Sequence, residues 1–328
     1  MPSPILVTGG AGYVGSHACK ALRAAGYEPV TFDNLSRGHR WAVKWGPFEE
    51  GDLADTARVR AVLQRYKPAA VMHFAALAYA GESVTQPLAY YRTNVAGTLS
   101  LLEAMQAEGV RGLVFSSTCA VYGERNGDGL ESVPISEGPP YNPVSPYGFS
   151  KLAIERMLQD SSAAWGLRSV ALRYFNAAGA DPDGEIGEVH EPETHLIPLV
   201  LEAAAGQRSH IEIYGGDYPT PDGSCVRDYI HVADLADAHV RALGRLLQPF
   251  SAYNLGTGQG HSVKQVVDAA RRVTGKPIRV EMRPRRAGDP PSAIADASLA
   301  GRELGWQPRL KSLDAILESA WRWMQSQK

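Results

Sequence analysis

Pro4-Ile5-Leu6-Val7-Thr8 is a short apolar strand pattern that runs directly into Gly9-Gly10-Ala11-Gly12-Tyr13-Val14-Gly15. An amphipathic run to Ala25 follows, and Gly26 closes it as a helix stop. Pro29 to Phe32 reads as a second buried strand, ending in Asp33. Strand, glycine turn, helix, strand and acid in that order is the context a dinucleotide fingerprint requires. The glycines read as G-x-x-G-x-x-G (Gly9, Gly12, Gly15) or as G-x-G-x-x-G (Gly10, Gly12, Gly15). Either register supplies a tight turn, close backbone approach to a pyrophosphate, and packing of helix on strand. Asp33 is placed to accept from ribose hydroxyls and to repel a 2′-phosphate, which favours NAD over NADP. Arg37 is the one nearby residue that weighs the other way.

The alternation of strand and helix then continues. Strand patterns near Pro47–Glu50, Ala69–Phe74, Gly112–Phe115 and Arg168–Tyr174 alternate with helical ones. The helices cover Asp55–Tyr66, one long run from Pro87 to about Glu108, and the run after Ser145. This rhythm predicts an α/β fold, a Rossmann-type doubly wound parallel sheet with right-handed crossovers. After Asn176 the character changes. Ala177–Glu193 is rich in Gly, Pro, Asp and Glu, and reads as a long functional loop. Helices are expected at Leu196–Ala205, from Val232 to Leu247, at Val263–Thr274 and from Ser312 to about Gln325. Strands are expected at Ile211–Tyr214, Tyr253–Leu255 and Ile278–Met282.

Composition excludes several classes. Lys plus Arg (33) nearly balance Asp plus Glu (35), so no global field points to nucleic acid or an anionic membrane. No stretch approaches about 18 uninterrupted apolar residues, and the first apolar run is broken at once by glycines, unlike a secretory signal. Three widely spaced cysteines, Cys19, Cys119 and Cys225, argue against a disulfide framework or zinc site, and a cytoplasmic location is expected. The nine histidines show no metal-ligand spacing, and no metal is assigned.

Ser145-Pro146-Tyr147-Gly148-Phe149-Ser150-Lys151 opens a helix, with Ser145 as cap and Pro146 at the first helical position. Tyr147 and Lys151 then lie one turn apart on the same face. Ionising a free phenol near pH 7 requires roughly 4 kcal/mol of preferential phenolate stabilisation. A neighbouring ammonium and a helix N-terminus both act in that direction. With fourteen tyrosines in the chain a chance Y-x-x-x-K is common, so the pair alone leaves an ordinary helix face open.

TGGAGYVGSH, HFAALAYAGES, FSSTCAVYG, SPYGFSK, RYFNAAGA, GSCVRDYIHVADLADAH and PRRAGD together resemble the UDP-glucose 4-epimerases of the extended short-chain dehydrogenase/reductase superfamily. The resemblance spans nearly the whole chain in order and spacing. It is strongest to the bacterial exopolysaccharide-type epimerases, and HFAALAYAGES is also similar to UDP-arabinose 4-epimerases. It implies a Rossmann domain over 1–176, with a returning segment at about 228–250, and a smaller C-terminal α/β UDP-sugar domain over 177–328.

The resemblance implies a catalytic set of Thr118, Tyr147 and Lys151. Tyr147 would take the proton of the sugar C4 hydroxyl while hydride passes to NAD, Thr118 would bond the developing oxyanion, and Lys151 would also contact the nicotinamide ribose. Further cofactor contacts implied are Gly9, Gly12, Tyr13, Val14, Gly15, Asp33, Asn34, Asp52, Leu53, Phe74, Ala75, Ala76, Asn94 and Phe175. On the substrate side the matched positions are Asn176, Leu196, Tyr214 near the uracil, Arg227 and Arg286 on the diphosphate, Asp289 and Ala293. Arg279, Arg283 and Arg285 read as a solvated basic face. Cys119 reads as a small buried side chain. A homodimer is implied, through the helices beginning near Pro87 and Pro146.

Three positions depart from the common epimerase pattern: Ala78 where a lysine is frequent, Thr194-His195 where a paired asparagine is frequent, and Ala293 where a tyrosine can wall the sugar pocket. The small Ala293 leaves room for UDP-GlcNAc, and UDP-arabinose or UDP-xylose 4-epimerases are the other enzymatic alternatives. Dehydratases of the superfamily need an acid pair after the catalytic threonine, where this chain has Cys119 and Ala120. A non-catalytic NAD-sensing protein on the same fold is the alternative of another class. Relative activity on hexose, pentose and N-acetylhexosamine nucleotides is not encoded in any of these motifs, and neither is the metabolic duty.

Overall fold

A computed structural model describes residues 2–123, 134–286 and 289–327. The loop expected from Gly123 to Asn142 therefore lies partly outside the described residues, as does the Ala-Gly step of the PRRAGD motif. The first half of the chain forms β1 (Pro4–Thr8), α1 (Tyr13–Ala24), β2 (Glu28–Asp33), β3 (Phe48–Glu50), α2 (Thr56–Tyr66) and β4 (Ala70–His73). It continues as α3 (Ala80–Thr85), α4 (Pro87–Tyr90), α5 (Gly97–Ala107), β5 (Gly112–Thr118), α6 (Pro146–Trp165) and β6 (Arg168–Tyr174). The second half contains β7 (Asn176–Ala178), α7 (Leu196–Ala204), β8 (Ile211–Tyr214), β9 (Val226–His231), α8 (Val232–Ala242) and β10 (Phe250–Leu255). It ends with β11 (Gly260–Ser262), α9 (Val263–Thr274), β12 (Val280–Arg283), β13 (Ser292–Ala293), α10 (Ser298–Leu304) and α11 (Leu313–Ser326).

Seven parallel strands form the main sheet in the order β10-β6-β5-β4-β1-β2-β3. The strands are apolar at successive positions because both faces are covered. Ile5, Val7, Met72, Val114 and Val170 pack into one buried cluster, and their neighbours Leu6, Val71, Leu113 and Ala171 into another. That two-sided burial is what a continuous apolar run encodes in a parallel sheet. Strand order reverses between β1 and β4, and ligands of such sheets sit outside the strand ends at that switch.

The long helix expected from Pro87 is interrupted. Tyr91–Ala96 adopts a π-helical turn between α4 and α5. Asn94 lies in that turn, fully buried, with its amide bonded to both backbone groups of Leu77 (2.8 and 3.0 Å) and to Ser150 Oγ (3.0 Å). The extra residue in the turn lets one side chain join the segment after β4 to α6, and such bulges concentrate where function needs a displaced side chain. The helix after β9 also differs from expectation. Its α part stops at Ala242 and a single 3-10 turn, Leu243–Arg245, replaces the rest, with a poor helix former, Gly244, at its centre. The 177–193 stretch contributes β7, which pairs with β9, before it loses regular structure. Short edge strands β11 and β13 and helices α3 and α10 carry too few residues to show a period.

Beyond Asn176 the chain builds a smaller layer of short sheets and α7, α9 and α11, around Ile197, Leu201, Ile213, Val266, Leu313 and Leu317. It returns to the main sheet through α8, which packs on α1, and through β10, the sheet's edge strand. The C-terminal edges of β1, β4, β5 and β6 thus face the loops that lead into the smaller layer.

Candidate active site

Gly9 leaves β1 with φ +72°, and a Cβ there would come within 2.5 Å of the Ala75 amide nitrogen. Phe74, Ala75 and Ala76 follow β4, so a side chain at Gly9 would push the two ends of the switch point apart. Gly15 lies against the Gly9 carbonyl, 2.2 Å from where a Cβ would sit, which seats α1 tightly on the turn. At Gly12 a Cβ would meet only Gly9 O, at 3.3 Å, and otherwise enter open space. Gly12 caps α1 with no side-chain hydrogen bond, and Tyr13 and Val14 form the helix's first turn. Open space and free amides at a helix N-terminus make a cradle for a pyrophosphate.

Asp33, at the end of β2, accepts from the amides of Ala11 (3.0 Å) and Leu35 (2.8 Å). Burial raises its carboxyl above the usual range, against the pull of those amides. Arg37, the residue that weighed toward a phosphate, is engaged elsewhere. Its guanidinium pairs with Glu82 (2.8 Å) and donates to the Glu191 carbonyl (3.1 Å). Asn34 and Asp52 join at 2.6 Å, next to Leu53, whose carbonyl accepts from Ser100 at 2.5 Å. Tyr13 donates to the Gly179 carbonyl at 2.6 Å, so it ties the glycine turn to the loop after β7. Phe175 is buried beside β6, with its amide on the Leu255 carbonyl at 3.3 Å.

Thr118 ends β5, and Tyr147 and Lys151 occupy the first turns of α6, as the spacing predicts. Ser145 caps that helix by accepting from Gly148 N at 3.1 Å, and Pro146 stands at its start. Gly148 is required there, since a Cβ would lie 2.6 Å from the Ala120 carbonyl. The Thr118 hydroxyl is near enough to the Tyr147 phenol to lower its pKa, but burial outweighs that and pushes Tyr147 far up. Lys151 is 3% exposed and donates to the Ser116 carbonyl at 2.8 Å. Its ammonium lies 5.9 Å from the Tyr147 ring centre and 4.8 Å from that of Phe115. Burial lowers Lys151 to about 7, opposed by the charge of Glu155. The Y-x-x-x-K spacing predicts that the lysine lowers the tyrosine. In the structure desolvation is the largest influence on both groups.

Behind Lys151, Glu155 and Arg173 form a fork-to-fork pair, 2.9 Å from Nε and 2.5 Å from Nη2. Ser117 donates to Glu155 at 2.6 Å, and Arg173 also donates to Tyr122 and to the Glu137 carbonyl, each at 3.0 Å. His73 is bonded on both ring nitrogens, to Thr8 (2.7 Å) and Thr98 (2.9 Å), and burial lowers it to about 3. Ser116, Ser150, Glu155 and His73 were not singled out in the sequence. Each acts through a partner distant in the chain, and no local pattern carries that signal.

On the other side of the cleft, Arg227 pairs with Asp289 at 3.3 Å and lies near enough to Cys119 to lower its thiol, although burial carries that thiol up to about 11. Asn176 donates to the Asp228 carbonyl at 3.1 Å, and Ala293 sits opposite Arg227 in the β13–β9 pairing. The Arg286 guanidinium covers the Tyr214 ring, 3.7 Å from its centre, while Tyr214 donates to Glu212 at 2.5 Å. Arg279, Arg283 and Arg285 are exposed and paired with Glu281, Glu212 and Asp217. Leu196 opens α7, directly after His195. His195 and His190 come together with Glu188 and Glu193, a grouping passed over in the sequence, where E-x-H-x-x-E-x-H was its only trace.

The model of the NAD-dependent epimerase/dehydratase family matches residues 5–256. The chain belongs to that family. A UDP-glucose 4-epimerase of Rhizobium meliloti (strain 1021) is 53% identical over 321 residues, 97% of this chain and 96% of the relative. The crystal structure of a UDP-glucose 4-epimerase from Brucella ovis in complex with NAD superposes with TM-score 0.92 at 52% identity, covering 97% of each chain. A UDP-glucose 4-epimerase from Stenotrophomonas maltophila, solved with bound NAD and formylated UDP-arabinopyranose, gives TM-score 0.93 at 41% identity over 99% of this chain and 98% of the other. The family match begins on β1 and ends just after β10, so it contains the main sheet, the glycine turn and the Thr118–Tyr147–Lys151 grouping. Arg286, Asp289 and Ala293 lie beyond it.

Proposed function

We propose that this chain is a UDP-glucose 4-epimerase that interconverts UDP-galactose and UDP-glucose by transient oxidation at sugar C4, with NAD held throughout turnover. The observation that carries the reading is the convergence of Thr118, Tyr147 and Lys151 at the end of β5, on the same edge of the main sheet as the glycine turn after β1 and Asp33 at the end of β2. The cradle at Gly12, the amide-held Asp33 and the engaged Arg37 suit NAD rather than NADP. When bound, NAD supplies a two-electron acceptor that takes hydride from C4 and gives it back.

Desolvation alone would keep the Tyr147 phenol protonated; with the positive charge that bound NAD would add near Lys151 favouring the phenolate, Tyr147 acts as the base for the C4 hydroxyl proton and returns it when the 4-keto sugar is reduced on its other face. Thr118 donates to the oxygen on which charge develops. Lys151, fixed by the Ser116 carbonyl, presents its remaining N–H donors toward the cleft and its charge toward the phenol. Arg227 and Arg286 bind the diphosphate, a task suited to planar, permanently charged forks. Arg286 and Tyr214 would part or slide to admit the uracil. Cys119 and Ala120 offer no proton for expelling water, which weighs against a dehydratase.

Purified protein incubated with UDP-galactose and no added NAD should produce UDP-glucose, and denaturation should release the nucleotide. A fluorescence response to NADH without turnover would instead identify a sensor. A homodimer is also part of this reading, through the helical run that begins at Pro87 (α4 into α5) and through α6. Leu99 (50% exposed) and Phe149 (53%) stand out on those helices, with Leu88 (72%) on the adjoining α4. No helix among the described residues is long and apolar enough to cross a membrane, and the three cysteines are free, as a cytoplasmic protein would have them.

A further inference from the structure

The loop at 179–195 gathers Glu188, His190, Glu193 and His195, with one ligand-type atom from each inside 4.8 Å. The epimerase chemistry of Tyr147 makes no use of them. Their atoms alternate around a centre. Glu188 Oε1 lies 3.2 Å from His190 Nδ1 and 3.0 Å from His195 Nδ1. Glu193 lies 2.9 Å from His195 Nδ1 through Oε1, and 3.5 Å from His190 Nδ1 through Oε2. An ion with nitrogen and oxygen ligands at 2.0–2.2 Å places tetrahedral ligands about 3.3 Å apart. The four observed edges scatter around that value.

Hydrogen bonding satisfies only part of this arrangement: His195 Nδ1 bonds Glu193 Oε1 at 2.9 Å, and His190 Nδ1 is left over. An Nδ1 carries at most one proton, yet each of these faces two carboxylate oxygens. His190 Nδ1 is closed off from water and makes a properly formed hydrogen bond with neither. A central cation would engage both imidazole lone pairs and both carboxylates at once.

A nearby acidic group provides the contrast. Asp181, Asp183 and Glu185 also converge, but Lys20 Nζ stands among them at 2.7, 2.6 and 2.7 Å. That group has its cation built into the chain. Among the described residues no lysine or arginine pairs with Glu188 or Glu193, whose side chains are only 7% and 8% exposed. The ligands are also held in place. Glu193 Oε1 accepts from the amides of Thr194 and His195, each at 2.7 Å, and the Tyr79 ring stands edge-on to His190 at 5.7 Å.

We propose that Glu188, His190, Glu193 and His195 form a tetrahedral site for a divalent ion of the zinc class. The ion would staple the loop beside Tyr13 and fix the start of α7. Glu188 and Glu193 raise both imidazoles, so the ion would enter as their Nδ1 protons leave, and the two carboxylates and two neutral imidazoles then carry a charge that it cancels.

The test uses the full chain, treated with chelator, exchanged, then exposed to micromolar Zn2+ or Co2+ alone and desalted. Metal is counted by mass spectrometry, and the cobalt form is examined by visible absorption. The expected result is one equivalent in the parent and in the control Asp183→Asn, with tetrahedral cobalt bands that lack thiolate charge transfer. The double variant His190→Gln/Glu193→Gln should lose the metal. A parent that retains no metal overturns the proposal, and so does a thiolate band. Equal metal in the double variant would place the ion elsewhere and overturn it as well.

Discussion

Lys151 Nζ donates to the Ser116 carbonyl at 2.8 Å, so the first turns of α6 are tied to the end of β5. One bond thereby fixes the separation of the two elements that carry Tyr147 and Thr118. Because the carbonyl takes only one of three ammonium protons, the other two remain for the cleft.

Tyr147→Phe removes the proposed proton acceptor and leaves the glycine cradle and Asp33 untouched. Turnover of UDP-galactose should fall by about 10²–10⁴, the usual worth of a positioned acid–base group. Bound nucleotide released on denaturation should stay near one equivalent. Full activity in this variant would overturn the assignment.

Lys151 also gives stability a pH signature. Its buried ammonium titrates at about 7 instead of 10.5, so the unfolded chain holds more protons between those values. This group's contribution to stability therefore rises with pH across that window, and its penalty is complete below pH 7. Lys151→Met removes the penalty. In urea titrations of nucleotide-stripped protein, the variant's gain over the parent should be largest at pH 6 and should fade toward pH 10. A gain independent of pH would refute the buried-ammonium account.

Glu155→Gln leaves the Arg173 guanidinium without its counter-charge at a site where both side chains are 2% exposed. Breaking such a pair costs about 3–5 kcal/mol. Denaturant titration should show this loss, and exchanging Glu155 and Arg173 together for apolar residues should recover a good part of it.

Ala293 stands opposite Arg227 on β13, and if the sugar lies beside it, as proposed, a small side chain there leaves room. The chain should therefore turn over UDP-GlcNAc as well as UDP-galactose. Ala293→Tyr should abolish the former and spare the latter, measured on one preparation. A parent inactive on UDP-GlcNAc would rule this out.

If α5 and α6 form the dimer face, charges placed on it should split the assembly. Leu99→Glu with Phe149→Glu should halve the mass seen by light scattering, with circular dichroism unchanged. An unchanged mass in a folded variant would place the interface elsewhere.

Most of the main sheet was legible because its strands are apolar at successive positions and its turns carry glycines that only close approach explains. The Tyr147–Lys151 pair was legible because both lie on one helix. What escaped were features made by distant partners. Asn94 reads as a helical residue until Leu77 and Ser150 are placed around it, and only then does the π turn make sense. Lys151 was expected to tune Tyr147 by charge, whereas desolvation is a property of everything packed around the pair. The histidine–carboxylate group lay in a stretch without period, where spacing carries little weight until the loop's path is known.

The edge strand β10 has a consequence for how the molecule is made. It pairs with β6 along Ser169–Tyr174 but is encoded some eighty residues later (250–255 against 168–174). A nascent chain that has emerged only to Asn176 carries the glycine turn and Tyr147, yet its sheet ends in an uncovered β6. Such an edge invites pairing with other chains. Synthesis must therefore pass Leu255 before the reactive half is safe from aggregation, and slow translation between these points is where chaperone dependence should concentrate.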